Sequence, residues 1–470
     1  MKRFQIYCGG EFISTNSILE VVNPYDSNVF AQTYLAGEVE FEQAVAAARD
    51  ACAPMKKLSS GERCNILLQI TGEIKEREEE FARLIAQEAA KPIKLALAEV
   101  RRAAQVFLVA SEEAKRLPKE YISLDWTPGT KGLEGLVKYF PVGPVAGISP
   151  FNFPLNLAVH KIAPAIAAGC PIVLKPATST PLSTLELAKV IDKTSLPKGA
   201  VSILPMNRQV GNMLVTDHRF KLLTFTGSPE VGWKMKENAG KKKVILELGG
   251  NAGTIVAQSA NLKLSVERCL VGGFSYQGQV CIHAQRIFVH ELLFGEFVRQ
   301  LSEGARRLKF GNPLSAETQI TAMIDLANAQ RVEQWIHEAV KAGAKIVCGG
   351  RREGAYVEPT VIIDAAPGMK VYDEELFGPV VTVNSFENFE DAVDMVNNSR
   401  FGLQAGVFTN SIAELDLAFN NLEVGGVIHN DSPIFRTDHM PYGGVKDSGL
   451  GREGVKHAIL DMMEPKVLVK

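Results

Sequence analysis

Short apolar runs, separated by connections long enough for helices, constrain the fold of this chain most strongly. Five of these runs lie after Pro141: Val142–Ile148, Ile172–Leu174, Leu222–Phe225, Val244–Leu248 and Thr254–Val256. Strands that alternate with helix-length connections predict a mostly parallel, doubly wound α/β sheet. A second alternation over residues 265–430 adds Arg286–Val289, Lys345–Cys348 and Val380–Val383. Two α/β lobes with a cleft between them are therefore predicted, and such a cleft is a common ligand site.

The region before these strands has a different pattern. Residues 38–117 are predicted to be helical, with a capping box at Ser59 and Glu62, and Pro92 is expected to divide the region into separate helices. Residues 139–159 carry no charge, but they contain four prolines, which break a helix repeatedly. We therefore expect a buried strand and a loop there, and no membrane span.

Composition excludes several functional classes. The net charge of −2 gives no basic field for nucleic acid or an anionic membrane. The seven cysteines are odd in number, scattered and without a CxxC pair, which favours free thiols in a reducing compartment over disulfides or a zinc site. The start of the sequence has no apolar signal-like run. We expect a cytoplasmic protein without a metal centre.

Two segments suggest dinucleotide binding in different ways. Residues 449–454, GLGREG, match the GxGxxG pattern, but only 16 residues follow and no strand directly precedes them, so a chance match is favoured. Residues 222–232 instead predict a strand, a Gly227-Ser228 turn and a helix that starts at Pro229. A helix start of this kind can hold a pyrophosphate, although an ordinary strand–helix turn is the simpler interpretation.

Three polar residues stand next to predicted strands. Lys175 ends a strand, where α/β sheets bind ligands, but taken alone it is better explained as a solvated loop lysine. Glu247 lies in an apolar strand before two glycines; burial raises a carboxyl pKa toward that of a general base, unless a partner such as Lys243 pairs with it. Asn152 lies between two prolines, where its amide can stabilise an oxyanion or cap its own turn.

Cys281 differs from the other cysteines in its neighbours. It follows Gly278 and Gln279 and precedes a strand, whereas most free cysteines behave as small buried hydrophobes. Its spacing alone does not show a lowered thiol pKa. His283, two residues later, is a further candidate base.

In their order along the chain these segments resemble the aldehyde dehydrogenase superfamily. The matching motifs are SPFNFPLNL (149–157), VLKPA (173–177), FTGSPEVG (225–232), LELGGN (246–251), GQVC (278–281), EELFGPV (374–380), GLQAGVFTN (402–410) and MPYGGVKDSGLGREG (440–454). The wording is most similar to lactaldehyde dehydrogenases and non-phosphorylating glyceraldehyde-3-phosphate dehydrogenases. The ordered set covers nearly the whole chain and is very specific, although each motif alone is weak.

The resemblance implies a role for each site residue. Cys281 is expected to add to the aldehyde, with Asn152 and the Cys281 backbone N–H holding the oxyanion and Glu247 activating water against the thioester that oxidation leaves. The residues expected on the cofactor side are Lys175, Thr178, Gly227, Ser228, Val231, Glu375 and Phe377. Those expected on the substrate side are Arg436, Tyr442 and His160. Glu247 favours hydrolysis of the thioester over transfer to coenzyme A.

Single positions refine the expected cofactor and substrate. NAD-using relatives often carry glutamate where this chain has Thr178, so NAD or NADP is expected, with NADP accepted. Val280 stands where phosphate-binding relatives carry arginine, and Phe153 where phosphonoacetaldehyde-type relatives carry histidine. Arg436 is proposed to meet a polar or anionic group, with an ion pair to Asp438 or Asp431 as the alternative.

The expected function is NAD(P)-dependent oxidation of a short, hydroxylated aldehyde of the lactaldehyde or glyceraldehyde type to its acid. The alternatives are a succinate-semialdehyde dehydrogenase, a cysteine hydrolase, for which a Cys–His pair is missing, and a retired enzyme that only binds. The predicted domains are 1–120 with 142–248 for the dinucleotide and 249–437 for catalysis. Segments 121–141 and 455–470 are predicted to form a β oligomerisation flap of a homodimer or homotetramer.

Overall fold

Two large sheets organise the chain, and the computed structural model describes them within residues 2–470. The first sheet has eight strands, in the spatial order Gly449–Leu450, Lys243–Glu247, Leu222–Thr226, Val145–Ile148, Ile172–Lys175, Val201–Ile203, Ile6–Cys8 and Glu11–Ile13. Its five central strands run parallel, and its edge strands are antiparallel.

The second sheet has seven strands and is built from later residues. Their order is Lys345–Cys348, Thr360–Ile363, Val380–Phe386, Arg286–His290, Gly253–Val256, Gln404–Phe408 and Gly426–His429. Every pair is parallel except the first, so the predicted strand at Lys345–Cys348 exists but runs antiparallel at the edge. The predicted α/β fold with two largely parallel sheets is confirmed.

Smaller sheets complete the strand inventory. Two have three strands, in the spatial orders Lys2–Arg3, Val29–Tyr34, Ile18–Val22 and Met463–Val469, Glu134–Pro141, Lys119–Ser123. Two have two strands, which pair Phe401–Gly402 with Val445–Lys446 and Arg352–Glu353 with Tyr356–Val357. The sheet that contains Met463–Val469 occupies the two segments predicted as a flap, although residues 455–461 form a helix instead. Its role in oligomer contacts stays a prediction.

Fifteen α-helices lie within residues 2–470. They are Glu38–Lys57, Ser60–Glu76, Glu78–Glu88, Ile93–Glu113, Pro154–Ala168, Leu182–Asp192, Arg208–Thr216, Pro229–Asn238, Leu262–Phe274, Glu291–Arg306, Leu326–Lys341, Lys370–Asp373, Phe389–Asn397, Ile412–Asn421 and Val455–Asp461. The Ser59–Glu62 capping box is confirmed, since each residue's backbone N–H donates to the side chain of the other. Pro92 directly precedes the fourth helix, as predicted.

The helix Pro154–Ala168 is buried along its whole length. It packs on the helix Ile93–Glu113 and on the first sheet, so it belongs to the core of the first lobe. None of the helices within residues 2–470 is long and apolar enough to cross a membrane. The chain passes from the first sheet to the second between Glu247 and Gly253, and of the later strands within residues 2–470 only the edge strand Gly449–Leu450 returns to the first sheet. The functions predicted for the domains stay predictions.

Candidate active site

Loops from both sheets meet at one place. Strands that end at Ile148, Thr226 and Glu247 are neighbours in the first sheet, so their carboxyl ends share an edge. The second sheet contributes the opposite ends of its strands. Three neighbouring strands of this sheet start at Gly253, Arg286 and Val380. The loops before them carry, in the same order, Gly250, Cys281 and Glu375.

A long cavity of about 630 Å³ lies between these loops. Seven of the predicted site residues line it: Asn152, Gly227, Ser228, Glu247, Cys281, Glu375 and Phe377. Residues up to 225 positions apart in sequence (152 to 377) therefore share one space, which is large enough for a small-molecule ligand.

The cavity wall fits a dinucleotide. The helix Pro229–Asn238 starts on it, and the side chain of its N-cap residue, Ser228, makes no capping hydrogen bond. The free N–H groups of the first turn thus remain available to an anion such as a pyrophosphate. Glu375 is held by the Gly250 N–H, which donates to its Oε1 at 3.0 Å, and its other carboxylate oxygen makes no hydrogen bond within residues 2–470. Burial raises the pKa of Glu375 to about 7.

Three predicted cofactor residues lie away from this wall. Lys175 ends its strand, and its Nζ donates to the Pro176 carbonyl at 3.4 Å. Thr178 lines a separate cavity that also contains Glu88, and Val231 packs against the core of the first lobe. Their assignment to the cofactor stays a prediction.

A narrow cavity of about 250 Å³ lies on the other side of Cys281. Cys281 and Asn152 line both cavities, so the thiol stands where the two spaces meet. Tyr442 and Arg436, two of the predicted substrate residues, line the narrow cavity. The third, His160, does not reach either cavity; it is buried, and its Nε2 lies 2.9 Å from Asp438.

Cys281 is one of two cysteines that are not fully buried, and all seven are free thiols. The other, Cys52, donates within its own helix to the Ala48 carbonyl. The Sγ atom of Cys281 lies 3.1 Å from the Tyr442 hydroxyl. Burial, together with the nearby Glu247 carboxylate, raises the pKa of the Cys281 thiol well above its usual value. A raised pKa of this kind favours the protonated thiol over the thiolate.

His283 is not placed to remove that proton. Its Nε2 lies 2.9 Å from the Gly273 carbonyl, and burial lowers its pKa to about 4. A neutral ring whose Nε2–H donates to a carbonyl satisfies this geometry. His283 thus supports the turn before Cys281 and is no candidate base.

Asn152 is held across the cavity and does not cap its own turn. Its Nδ2 donates to the Gln279 carbonyl at 2.9 Å, which uses one of the two amide hydrogens. The second amide hydrogen remains free near Cys281. The backbone N–H of Cys281 likewise has no acceptor within residues 2–470. Two N–H donors of residues that line both cavities thus have no acceptor, and donors of this kind can stabilise an oxyanion.

Glu247 is buried, and neither of its carboxylate oxygens has a hydrogen-bond partner within residues 2–470. Lys243, the partner considered from the sequence, pairs instead with Glu464 at 2.7 Å. Burial, and then the charge of Glu453, raise the pKa of Glu247 well above the usual carboxyl range. A desolvated carboxylate of this kind is suited to accept a proton.

Glu453 and Lys161 complete the charge network, and sequence reasoning missed both. Arg436 pairs with Glu453 at 3.1 Å, so the alternative partners Asp438 and Asp431 were wrong. Lys161 Nζ lies 3.4 Å from the other oxygen of Glu453. The sequence does contain signals that could have pointed to these two residues. Lys161 is a lone charge in an apolar helix, and Glu453 lies in the GLGREG segment set aside above. In that segment Gly454 has φ +99°, so backbone conformation accounts for the glycine.

Within residues 2–470, no group of three or more His, Cys, Asp or Glu side chains is arranged to hold a metal ion. The sequence matches the profile of the Aldehyde dehydrogenase family over residues 12–468. The chain belongs to this family. The prediction of an NAD(P)-dependent aldehyde dehydrogenase is confirmed at that level.

Relatives and solved structures agree with the family. The chain is 41% identical to a 3-sulfolactaldehyde dehydrogenase from Priestia aryabhattai, across 100% of this chain and 98% of that protein. It is 39% identical to a lactaldehyde dehydrogenase from Methanococcus aeolicus, across 99% of each. Both names agree with the expected resemblance to lactaldehyde dehydrogenases.

Two crystal structures share the fold over nearly the full chain. Aldehyde dehydrogenase 21 from Physcomitrella patens, in complex with the reaction product succinate, is 46% identical with a TM-score of 0.98, covering 100% of this chain and 98% of that one. Glyceraldehyde-3-phosphate dehydrogenase GapN from Methanocaldococcus jannaschii, complexed with NADP, is 37% identical with a TM-score of 0.93, covering 96% and 98%.

A backbone contact under the nucleophile can be tested directly. A Cβ atom on Gly250 would lie 2.6 Å from the Cys281 carbonyl oxygen, so Gly250→Ala must displace the Cys281 backbone. We expect kcat for propanal oxidation to fall about 100-fold, since a displacement near 1 Å can have that effect. Gly72→Ala is the control, because a Cβ there meets nothing within 4 Å. A Gly250→Ala enzyme with the wild-type kcat would contradict this geometry.

Proposed function

We propose that the chain oxidises a short, hydroxylated or anionic aldehyde to its carboxylic acid, with NAD or NADP as the oxidant. The observation that carries this proposal is the position of Cys281 between the two cavities, beside two free N–H donors and an unpartnered buried carboxylate. A thiol, an oxyanion site and a base are the groups that covalent aldehyde oxidation requires.

In the first step the Cys281 sulfur forms a bond to the carbonyl carbon, and the thiol proton passes to solvent water. The carbonyl oxygen becomes an oxyanion, which the Asn152 amide and the Cys281 backbone N–H stabilise. A nicotinamide cofactor held in the long cavity would supply the hydride acceptor that this adduct needs to become a thioester on Cys281. Gly227, Ser228, Glu375 and Phe377 are proposed to hold the cofactor, because they line the long cavity.

Hydrolysis then requires a base. Glu247 takes a proton from a water molecule, the resulting hydroxide adds to the thioester carbon, and the carbon–sulfur bond breaks to release the acid and the thiolate. The unpartnered carboxylate faces the same cavity as Cys281. Glu453 is a second carboxylate near Glu247. Burial opposes its ionisation, but the charges of Lys161 and Arg436 lower the pKa of Glu453 and keep it charged.

The dependence on Glu247 has a defined pH signature. Because burial raises the pKa of Glu247, the base form is lost as the pH falls through that raised value, and deacylation slows. Glu247→Gln should remove this pH limb and slow the steady state by about 100-fold or more, after a burst of one reduced cofactor per active site. Stopped-flow absorbance measures both effects, with Cys281→Ser as the control without a burst. Loss of the burst in Glu247→Gln would contradict the assignment.

The cofactor preference is proposed to include NADP. The side chain at position 178 is a threonine, which carries no charge to repel a 2′-phosphate, and the 37% identical GapN structure is a complex with NADP. Thr178→Glu should lower kcat/KM for NADP about 10-fold or more relative to NAD, since one like-charge contact is worth that much. Strict use of NAD by the wild type would contradict the proposal, as would a cofactor ratio that Thr178→Glu leaves unchanged.

The narrow cavity supports a short substrate with an anionic end. Arg102 lines it and donates from Nε and Nη2 to Asp438, at 3.2 and 2.7 Å, which leaves Nη1 without a partner within residues 2–470. The Nε of Arg436, on the same wall, is buried and also has no partner. Val280, which lines the cavity as well, supplies no charge of its own.

Hydroxylated three-carbon aldehydes are the first candidates, in line with the names of the two relatives. Succinate semialdehyde is the second candidate, because Arg102 offers a free donor and the 46% identical plant enzyme was crystallised with succinate. 3-Sulfolactaldehyde combines a hydroxyl with an anionic end group. Lactaldehyde, glyceraldehyde, glyceraldehyde-3-phosphate, 3-sulfolactaldehyde and succinate semialdehyde form the test panel.

The anion interaction predicts a selective defect. Arg102→Met should raise KM for succinate semialdehyde about 10- to 100-fold, the value of a hydrogen bond to a charged group, and leave KM for neutral propanal within about twofold. Arg101→Met is the matched control, because the neighbouring Arg101 side chain is 68% exposed. Equal effects of Arg102→Met on both substrates would contradict the role.

A further inference from the structure

A buried lysine behind the candidate site has no role in the chemistry described so far. Lys91 is 1% exposed and follows Ala90, whose φ of +46° is unfavourable for a residue with a side chain. The Tyr276 hydroxyl donates to the Ala89 carbonyl at 2.8 Å, and the Thr321 hydroxyl donates to the Ala90 carbonyl. The strained turn is thus held from two sides, and it directs Lys91 inward.

The ammonium group of Lys91 is fully engaged. It donates to Glu99 Oε2 at 2.5 Å and to the Asn152 backbone carbonyl at 2.6 Å. It also lies 3.7 Å from the ring centre of Phe153 and 4.4 Å from that of Tyr276. An ammonium carries three N–H donors, and the two acceptors and the ring faces use them. Although Lys91 lines the narrow cavity, no N–H remains free for substrate.

Glu99 extends the ion pair to a helix start. Its second oxygen, Oε1, accepts from the backbone N–H groups of Leu155 and Asn156, at 3.0 and 3.2 Å. These belong to the first turn of the helix Pro154–Ala168, so Glu99 caps that helix from a different helix. The segment from Asn152 to Asn156 is held at its carbonyl end by Lys91 and at its helical end by Glu99.

We propose that Lys91 and Glu99 are positioning residues that aim the Asn152 amide at the oxyanion. The inference rests on the proposed function, in which Asn152 stabilises that oxyanion. The Asn152 carbonyl is fixed by Lys91 and its side-chain Nδ2 by the Gln279 carbonyl, so backbone and amide are each held by one contact. Removing the first contact frees the peptide plane and lets the amide turn away.

The test is a double-mutant cycle between Lys91→Met and Asn152→Ala, with propanal and NADP as substrates. Removing an oxyanion donor typically lowers kcat about 100- to 1000-fold, so we expect Lys91→Met to lower kcat/KM about 10- to 100-fold. In the Asn152→Ala background the same change should have an effect of about twofold or less, because the positioned amide is absent. Equal fold losses in the two backgrounds would overturn the inference.

Two further readouts separate positioning from general damage. The rate of Cys281 alkylation by iodoacetamide, without cofactor or aldehyde, should stay within about threefold of wild type in Lys91→Met. Lys94→Met, which changes an exposed lysine three residues after Lys91, at the start of the helix Ile93–Glu113, is the matched control and should leave both alkylation and turnover unchanged. A large fall in alkylation would overturn the inference, because it would place the damage at the thiol.

A second variant guards against misfolding. Lys91→Met leaves the Glu99 carboxylate buried and unpaired, and such groups destabilise proteins. The combined Lys91→Met and Glu99→Gln change removes that charge, and the same cycle applies to it with the same expected result. A defect confined to anionic aldehydes would overturn the inference in favour of direct substrate binding. Full activity of Asn152→Ala would overturn the oxyanion role as well, which distinguishes the two failures.

Discussion

The close approach of Gly250 to the Cys281 carbonyl is the constraint on which the candidate site depends. The chain crosses from the first sheet to the second between Glu247 and Gly253, and within that crossing only a glycine leaves room for the nucleophile loop. The Gly250 N–H holds Glu375, and the Asn251 amide donates to the Tyr372 and Asp373 carbonyls. The segment between Glu247 and Gly253 thus fixes the positions of Glu247, Cys281 and Glu375 relative to one another.

Burial raises the pKa of the Glu247 carboxyl and of the Cys281 thiol, and it also makes the site costly for the stability of the fold. Glu247 without a hydrogen-bond partner destabilises the fold, and nearby positive charges limit that cost. Lys161 and Arg436 supply them and are held in turn by Glu453, which also lies beside Glu247. The candidate active site therefore contains a cluster of buried charges. Glu453 is paired with Lys161 and Arg436, whereas the Glu247 carboxylate has no hydrogen-bond partner within residues 2–470.

Much of this arrangement could be predicted from sequence, because local signals are strong there. The strand at Leu222–Thr226 and the turn into the helix at Pro229 follow from apolar runs and helix-start residues. The contact of Arg436 with Glu453 could not be predicted, since the sequence offered Asp438 and Asp431 as nearer acids and only folding shows which one is in reach. Lys91 was missed for the same reason: its partner Glu99 is local, but Asn152 is 61 positions away.

The proposed mechanism requires that the aldehyde carbon becomes bonded to Cys281 and to no other thiol. Intact-protein mass spectrometry of the Glu247→Gln enzyme, quenched in acid during turnover of propanal with NADP, measures this directly, and peptide mapping locates the adduct. Covalent catalysis by Cys281 predicts one propanoyl group per chain, on the peptide that contains Cys281, with the remaining six cysteines unmodified. Turnover without an adduct, or an adduct on a different cysteine, would contradict it.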